Sequence, residues 1–367
     1  MKIGILTFHC AHNYGAVLQC YALQETLRNM GHEVEVINYT PPYLVNLYKY
    51  FFWRRFISKN PSLFIKKTLS EIKIFKKRYL RYQAFNQFIC KYIDISPQYK
   101  KNIQTPSNYD IYIMGSDQIW NPNITNGFDS TFFGFFPFEK KDKIYISYAA
   151  SMGKTNLSLE KTEYIKHALK NFDGISVREE ELKQYLQQLT KQEIQTVLDP
   201  TLLLPLNAWD KIILKPKIFE RYILVYQVRQ DSNTTRIANS IAKQLNCKVI
   251  EISANIRLEN RNNLNILETC TPEEFLSLIK YSTCVITTSF HGTVFSILFK
   301  KDFFCIKLND GSDGRACNLL DIFNLSSRMI SKESSPQMSK VNYNNIDYSK
   351  FESLRQNSYN FLRTYIS

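Results

Sequence analysis

Two α/β halves facing a cleft are what this sequence predicts, on three observations. Short, unalternated, β-branched runs alternate with apolar stripes at helical spacing along most of the chain. Polar loops follow the strands in both halves. Pro205 and Pro216 bracket the stretch "LNAWDKIILK", which reads as a linker between two such series.

The elements follow in order. Residues 2–8, "KIGILTF", read as a buried first strand, and "HCAHNYG" as the loop after it. Ala16, Cys20, Leu23, Leu27 and Met30 form a helical stripe that Gly31 stops. With a second strand over 33–39, this is a βαβ opening. It lacks G-x-G-x-x-G, so a nicotinamide cofactor has no support. Strands are expected over 110–114, in "KIYISYAAS", up to Val177 with a helix from about Arg178, and up to Asp199-Pro200. The second series has a strand over 222–228, a helix over 234–245 and a strand over 248–252. Thr271 and Pro272 start a further helix as cap and first-turn proline. "CVIT" is a strand buried on both faces, and 292–300 a packed helix with lysines at its end. "KDFFCIKL" is one more strand. Residues 1–205 are thus expected as one domain and 206–345 as a second. Residues 346–367 would form a terminal helix packing back on the first.

Composition narrows the class. The chain is 44% hydrophobic, enough for a large core, yet charges interrupt every apolar stretch before it could span a membrane. The start does not read as a signal peptide. The eight cysteines include no C-x-x-C pair and lie mostly in apolar segments. They read as reduced thiols of a cytosolic protein, and no metal is expected. The net charge of +14 is concentrated in residues 48–101, where fourteen Lys or Arg face two acids. There Ile65, Leu69, Ile72, Phe75, Tyr79 and Tyr82 recur at helical spacing among lysines. Two readings stand: a packed helical insert with a solvated basic face, or a docking surface for an anionic membrane. A nucleic-acid partner is not expected, because no binding motif accompanies the charge.

Four loops carry unusual side chains. "HNYG" places Asn13, Tyr14 and Gly15 at a helix start. "GSDQIW" places Asp117, Gln118 and Trp120 together, a composition suited to gripping a sugar. Arg178 follows a buried strand and suits a carboxylate or phosphate. Ser289, His291 and Gly292 fill the break between "CVIT" and the helix after it, where α/β folds place ligands. Each has an ordinary use as well. Asn13 and Asp117 can cap helices, Arg178 can pair with Glu179, Glu180 or Glu181, and His291 can satisfy backbone groups.

"TFHCAHNYGAVLQCYALQ", "YDIYIMGSDQIWNP", "ISYAASMG", "ISVREEEL", "VLDPTLLL" and "TTSFHGTVFSILF", in this order and spacing, resemble the polysaccharide pyruvyl transferase family. The resemblance covers nearly the whole chain, apart from the basic segment and the last few dozen residues. It implies a GT-B-like fold and transfer of a pyruvyl group from phosphoenolpyruvate, as donor substrate with no further cofactor. The acceptor would be hydroxyls of a capsule, exopolysaccharide or wall saccharide, often lipid-linked, and the product a ketal. The family's arginine after the "vR" strand matches Arg178, and its late histidine matches His291. The arginine usual two positions before that histidine is Ser289 here, with Arg315 or Lys307 as replacements. On this footing His291 is the expected acid and Asp117 the base or a hydroxyl anchor for the sugar. Arg178, Ser289, Gly292 and Arg315 lie on the donor side, and Asn13, Tyr14, Gln118 and Trp120 on the acceptor side. A membrane-linked acceptor implies a peripheral place on the inner face of the membrane. The rival enzyme is a glycosyltransferase using a nucleotide sugar, with its pocket in the "ANIRLENRN" and "NDGSDGR" loops.

Overall fold

Two six-stranded sheets, parallel throughout, organise the chain. The structure is a computed structural model describing residues 1–50, 61–99, 108–153, 155–228, 230–254, 256, 265–309 and 313–366. The "ANIRLENRN" loop and part of "NDGSDGR" lie largely outside these.

The first half contains β1 (Lys2–Leu6), α1 (Tyr14–Asn29), β2 (Glu33–Val36), the short α2 (Pro42–Val45) and the long α3 (Pro61–Tyr92). It continues with β3 (Ile111–Asp117), β4 (Ile144–Ala150), α4 (Leu159–Ala168), β5 (Gly174–Val177), α5 (Glu180–Gln187) and β6 (Ile194–Thr196). Its strand order is β2-β1-β3-β4-β5-β6. Helix α6 (Leu206–Asp210) leads into the second half. That half contains β7 (Tyr222–Gln227), α7 (Ser232–Leu245), β8 (Lys248–Ser253), β9 (Asn265–Leu267), α8 (Pro272–Tyr281) and β10 (Cys284–Thr287). Then come α9 (Phe290–Leu298), β11 (Asp302–Lys307), α10 (Gly314–Ile322), β12 (Met329–Ser331) and the terminal α11 (Ser349–Ile366). Its order is β12-β11-β10-β7-β8-β9. Parallel strands within a sheet end on the same side, so the loops that follow them gather there. This is the GT-B-like pair of Rossmann-like halves that was expected.

The local reasons are visible in the sequence. Ile3, Ile5 and Leu6 of β1 are fully buried, as a strand covered on both faces requires. Thr271 caps α8 in a reciprocal box with Glu274, with Pro272 in the first turn. One apolar cluster runs through both halves, joining Ile5, Val17 and Ile113 to Phe275, Val285 and Phe295. The stretch expected as a linker is therefore packed. Trp209 is fully buried, its ring 5.8 Å from Tyr21 of the first half and 5.0 Å from Phe295 of the second. Helix α11 lies on the first half, where Leu198 N donates to Ser358 Oγ at 2.9 Å and the Tyr359 hydroxyl to Leu203 O at 3.0 Å. We keep the division after residue 205 as a proposal. Among the described residues no helix is long and apolar enough to cross a membrane.

The basic segment forms a helix of 32 residues, α3, at the spacing the sequence indicated. Of the apolar stripe, Ile72, Phe75 and Tyr79 are exposed and not on the face that packs against the protein. Ile74, Arg81, Phe85 and Phe88 turn inward. The inward face is fixed by Arg81. Its Nη1 donates to Ser253 O at 2.9 Å and Glu268 O at 3.0 Å, and its Nη2 to His12 O at 3.3 Å, tying both halves to the helix.

His12 belongs to this packing. Its ring stacks on Phe85 at 5.2 Å and lies 5.0 Å from Tyr48. Burial, and then the Arg81 charge, push its pKa down from 6.5 to about 4. Unfolded, His12 takes up a proton near its ordinary pKa; folded, it refuses one until about pH 4. Its stabilising contribution is therefore complete above pH 6.5 and is lost as pH falls toward 4, a change on the order of 3 kcal/mol. Thermal melts should drop across this window, and His12→Phe, which keeps the stack, should flatten the drop. An unchanged slope in that variant would assign the acid sensitivity to other groups, such as buried His9, whose pKa is also lowered.

Candidate active site

The break after β10 is a helix start. Ser289 caps α9, its Oγ accepting from Gly292 N at 3.3 Å, and the helix begins at Phe290, two residues before the expected start. His291 therefore stands in the first turn, 7% exposed. Its ring meets the other half of the molecule at Gly15, in the first turn of α1. A Cβ on Gly15 would lie 2.1 Å from His291 Nδ1, so only glycine fits under the imidazole. The other nitrogen, Nε2, faces Asp199 Oδ2 at 3.5 Å and has no hydrogen-bond partner.

Asp199 is the hub. Its Oδ2 accepts from Arg178 Nη1 at 2.6 Å, and its Oδ1 accepts from the Thr201 hydroxyl at 2.6 Å and Thr201 N at 3.0 Å. Burial alone would raise its pKa, but His291, Arg178 and the Thr201 hydroxyl together outweigh burial and hold it well below the usual carboxylate range. Arg178 leaves the end of β5 and lies over Phe290, 5.0 Å from the ring centre. Burial opposes its charge, yet Glu179, Asp199 and Asp117 more than compensate and raise its pKa. Its Nε reaches Glu179 Oε1 at 3.4 Å, while Nη2 is buried without a partner. Glu179 is held by the Ser151 hydroxyl at 2.7 Å, with Oε2 unpartnered.

Arg315 completes the group from the first turn of α10, 5.8 Å from the Phe290 ring centre. With the Gln118 amide oxygen turned toward it, both Nη atoms donate there, at 3.1 and 2.8 Å. Among the described residues no carboxylate forms an ion pair with Arg315. Burial and then the neighbouring Arg178 charge lower its pKa, against the pull of Glu179, Asp117 and Asp199. A second anion at this point would relieve it. Asp117, half-buried at the end of β3 with φ of 78°, accepts from Gln118 N at 2.8 Å.

Arg178, Ser289, His291, Gly292, Arg315, Asp117 and Gln118 thus converge. The roles of some expected residues change. Trp120 offers no face to a sugar. It is fully buried, stacked on Phe133 at 5.3 Å, with Nε1 donating to Phe132 O at 3.0 Å. Tyr14 is also core, stacked on Phe275 at 4.5 Å, its hydroxyl donating to Cys270 O at 3.0 Å. Asn13 caps α1 through Oδ1. The Gly292 amide is taken up by Ser289 and is not a free donor. Gly292 is instead required for packing, since a Cβ would lie 2.3 Å from Thr287 Oγ1. Asp199, Glu179 and Phe290 were not among the expected site residues. Among the described residues no group of His, Cys, Asp or Glu could hold a metal ion.

A family model described as polysaccharide pyruvyl transferase matches residues 13–310. No curated protein matches the chain. Similar solved structures include UDP-GlcNAc 2-epimerase from Methanocaldococcus jannaschii, 13% identical over 98% of this chain and 100% of that one, with a TM-score of 0.48. A putative UDP-N-acetylglucosamine 2-epimerase from Listeria monocytogenes is 12% identical over 99% and 88%, with a TM-score of 0.49. The glycosyltransferase SnogD from Streptomyces nogalater is 11% identical over 100% and 95%, with a TM-score of 0.40. Likeness at these scores carries no chemistry, and the fold rests on the two sheets themselves.

Proposed function

The chain belongs to the polysaccharide pyruvyl transferase family, and from that premise we propose that the Arg178–Asp199–His291–Arg315 cluster moves a pyruvyl group from phosphoenolpyruvate to saccharide hydroxyls, forming a ketal. The observation that carries this reading is unspent bonding capacity in one buried place. Arg178 Nη2 has no partner, His291 Nε2 meets only Asp199 Oδ2 at 3.5 Å without a hydrogen bond, and among the described residues Arg315 pairs with no carboxylate. Buried polar groups are ordinarily satisfied, so a cluster of exceptions calls for a ligand.

Phosphoenolpyruvate brings a carboxylate, a phosphate and an enol carbon that must be protonated. Asp199 and Glu179 already offset Arg178, so the donor's charge is met chiefly by Arg315 and Arg178 Nη2. His291 gives its proton to the methylene carbon, which becomes the methyl group. The adjacent carbon becomes cationic and is attacked by a sugar hydroxyl, whose proton passes to Asp117. The carbon–oxygen bond to phosphate then breaks, and a second hydroxyl closes the ketal, its proton passing to the departing phosphate. Asp199 holds the imidazole in place, its Oδ2 3.5 Å from Nε2. Gln118 positions Arg315, and Asn13 remains on the acceptor side. The acceptor is lipid-linked in this reading, and the protein acts from the cytoplasmic face of the membrane.

Calorimetric titration with phosphoenolpyruvate tests the donor assignment. Arg315→Gln should weaken binding about tenfold or more, the loss of one charge-assisted contact. It should change the melting temperature little, since no ion pair is broken. Unchanged affinity in the variant, or tighter binding of a nucleoside diphosphate than of phosphoenolpyruvate, would remove the assignment.

A further inference from the structure

Of the twelve large apolar side chains exposed among the described residues, five fall between residues 47 and 80: Leu47, Ile72, Phe75, Tyr79 and Leu80. Ile72, Phe75 and Tyr79 lie on α3 at the spacing of a single helical file, with Leu80 on its flank. Tyr50 joins them, its ring edge-on to Phe75 at 5.9 Å and to Tyr79 at 5.4 Å. Lys49 and Lys76, exposed, adjoin the file in sequence, within a segment of net charge +12. The opposite face of the same helix already holds it to the protein, through buried Phe85 and Phe88 and the Arg81 hydrogen bonds.

Apolar and aromatic side chains flanked by lysines are the composition of a helix that lies on a membrane. Tyrosine rings suit the boundary between headgroups and acyl chains. A nucleic acid would reward the cations alone, since Ile72 and Leu80 gain nothing from a phosphate backbone. We propose that the outer face of α3 seats on a negatively charged lipid surface. The apolar file enters the headgroup–acyl boundary, and the lysines meet lipid phosphates. Because the inner face of α3 contacts the His12 loop, which leads into α1 and Gly15 under His291, seating holds the cleft beside the lipid.

The proposal stands on exposure and charge, not on the pyruvyl reading, and the experiment keeps the two apart. The full chain is co-sedimented with vesicles of phosphatidylcholine alone or with phosphatidylglycerol, at salt from about 50 to about 500 mM. Binding should be at least tenfold tighter to the anionic vesicles and should weaken with salt. A variant carrying Ile72→Asn, Phe75→Asn and Tyr79→Asn should lose most binding, with its melting temperature and its turnover of a soluble acceptor unchanged. Lys49→Gln with Lys76→Gln should weaken binding more than tenfold at low salt, at about fivefold per charge. Four results would each overturn the proposal: equal binding to both vesicles, binding to neither, binding to single-stranded DNA without vesicle binding, or a dimer that the Asn variant abolishes while vesicles are ignored.

Discussion

Replacing His291 by Gln is expected to lower turnover by about two orders of magnitude or more, the usual worth of a positioned general acid. The side chain is 7% exposed, with Nδ1 against Gly15 and Nε2 toward Asp199, so it is held on two sides by different halves of the molecule. Glutamine is polar and of similar reach but cannot deliver a proton. Affinity for phosphoenolpyruvate should stay within a few-fold, because Arg178 and Arg315 remain. The separation of turnover from affinity distinguishes an acid from a structural histidine, whose loss would lower both together with the melting temperature. Turnover within threefold of the parent would remove His291 from the chemistry.

Gly15→Ala should act almost as strongly from the opposite half. The added methyl group would sit 2.1 Å from Nδ1 and 2.6 Å from Cε1 of His291, distances no carbon tolerates, so the imidazole must swing away or the halves must part. Helix α1 itself gains from the exchange, since alanine is better than glycine inside a helix by about 1 kcal/mol. Overpacking costs about 1–3 kcal/mol, so net stability should fall only modestly. Turnover should drop by about a hundredfold with the protein still folded. Near-parental turnover would mean that the ring has room to spare and that the contact between α1 and α9 does not set its position.

The fold was legible because its signals are local. β10 and α9 could be read from an unalternated apolar run, a capping serine and an apolar stripe, and α8 from Thr271-Pro272. Arg178 stood out because it follows directly on a buried strand, and His291 because it sits in the polar break between a buried strand and an apolar helix. Asp199 escaped because its meaning is long-range. In sequence, Asp-Pro after a strand is a turn, and only the fold brings it within 2.6 Å of Arg178, 21 residues earlier. Trp120 misled for the same reason. A tryptophan beside Asp and Gln has the composition of a sugar-binding loop, but here the loop folds back, Trp120 N donating to Ser151 O at 3.1 Å, and the ring enters the core. In α3 the period was right, but the sequence left open which face packs; Arg81, a charged residue, is what turns inward to bond three carbonyls.

The central claim is that this cluster is a pyruvyl-donor site. Its most direct test is mass spectrometry of saccharides bearing neighbouring hydroxyls after incubation with the protein and phosphoenolpyruvate, with phosphate release followed in parallel. The account predicts a product heavier by one pyruvylidene group, formed with release of phosphate, dependent on phosphoenolpyruvate and lost in His291→Gln. Glycosyl transfer from a nucleotide sugar to the same acceptors, with no phosphoenolpyruvate-dependent product, would contradict it.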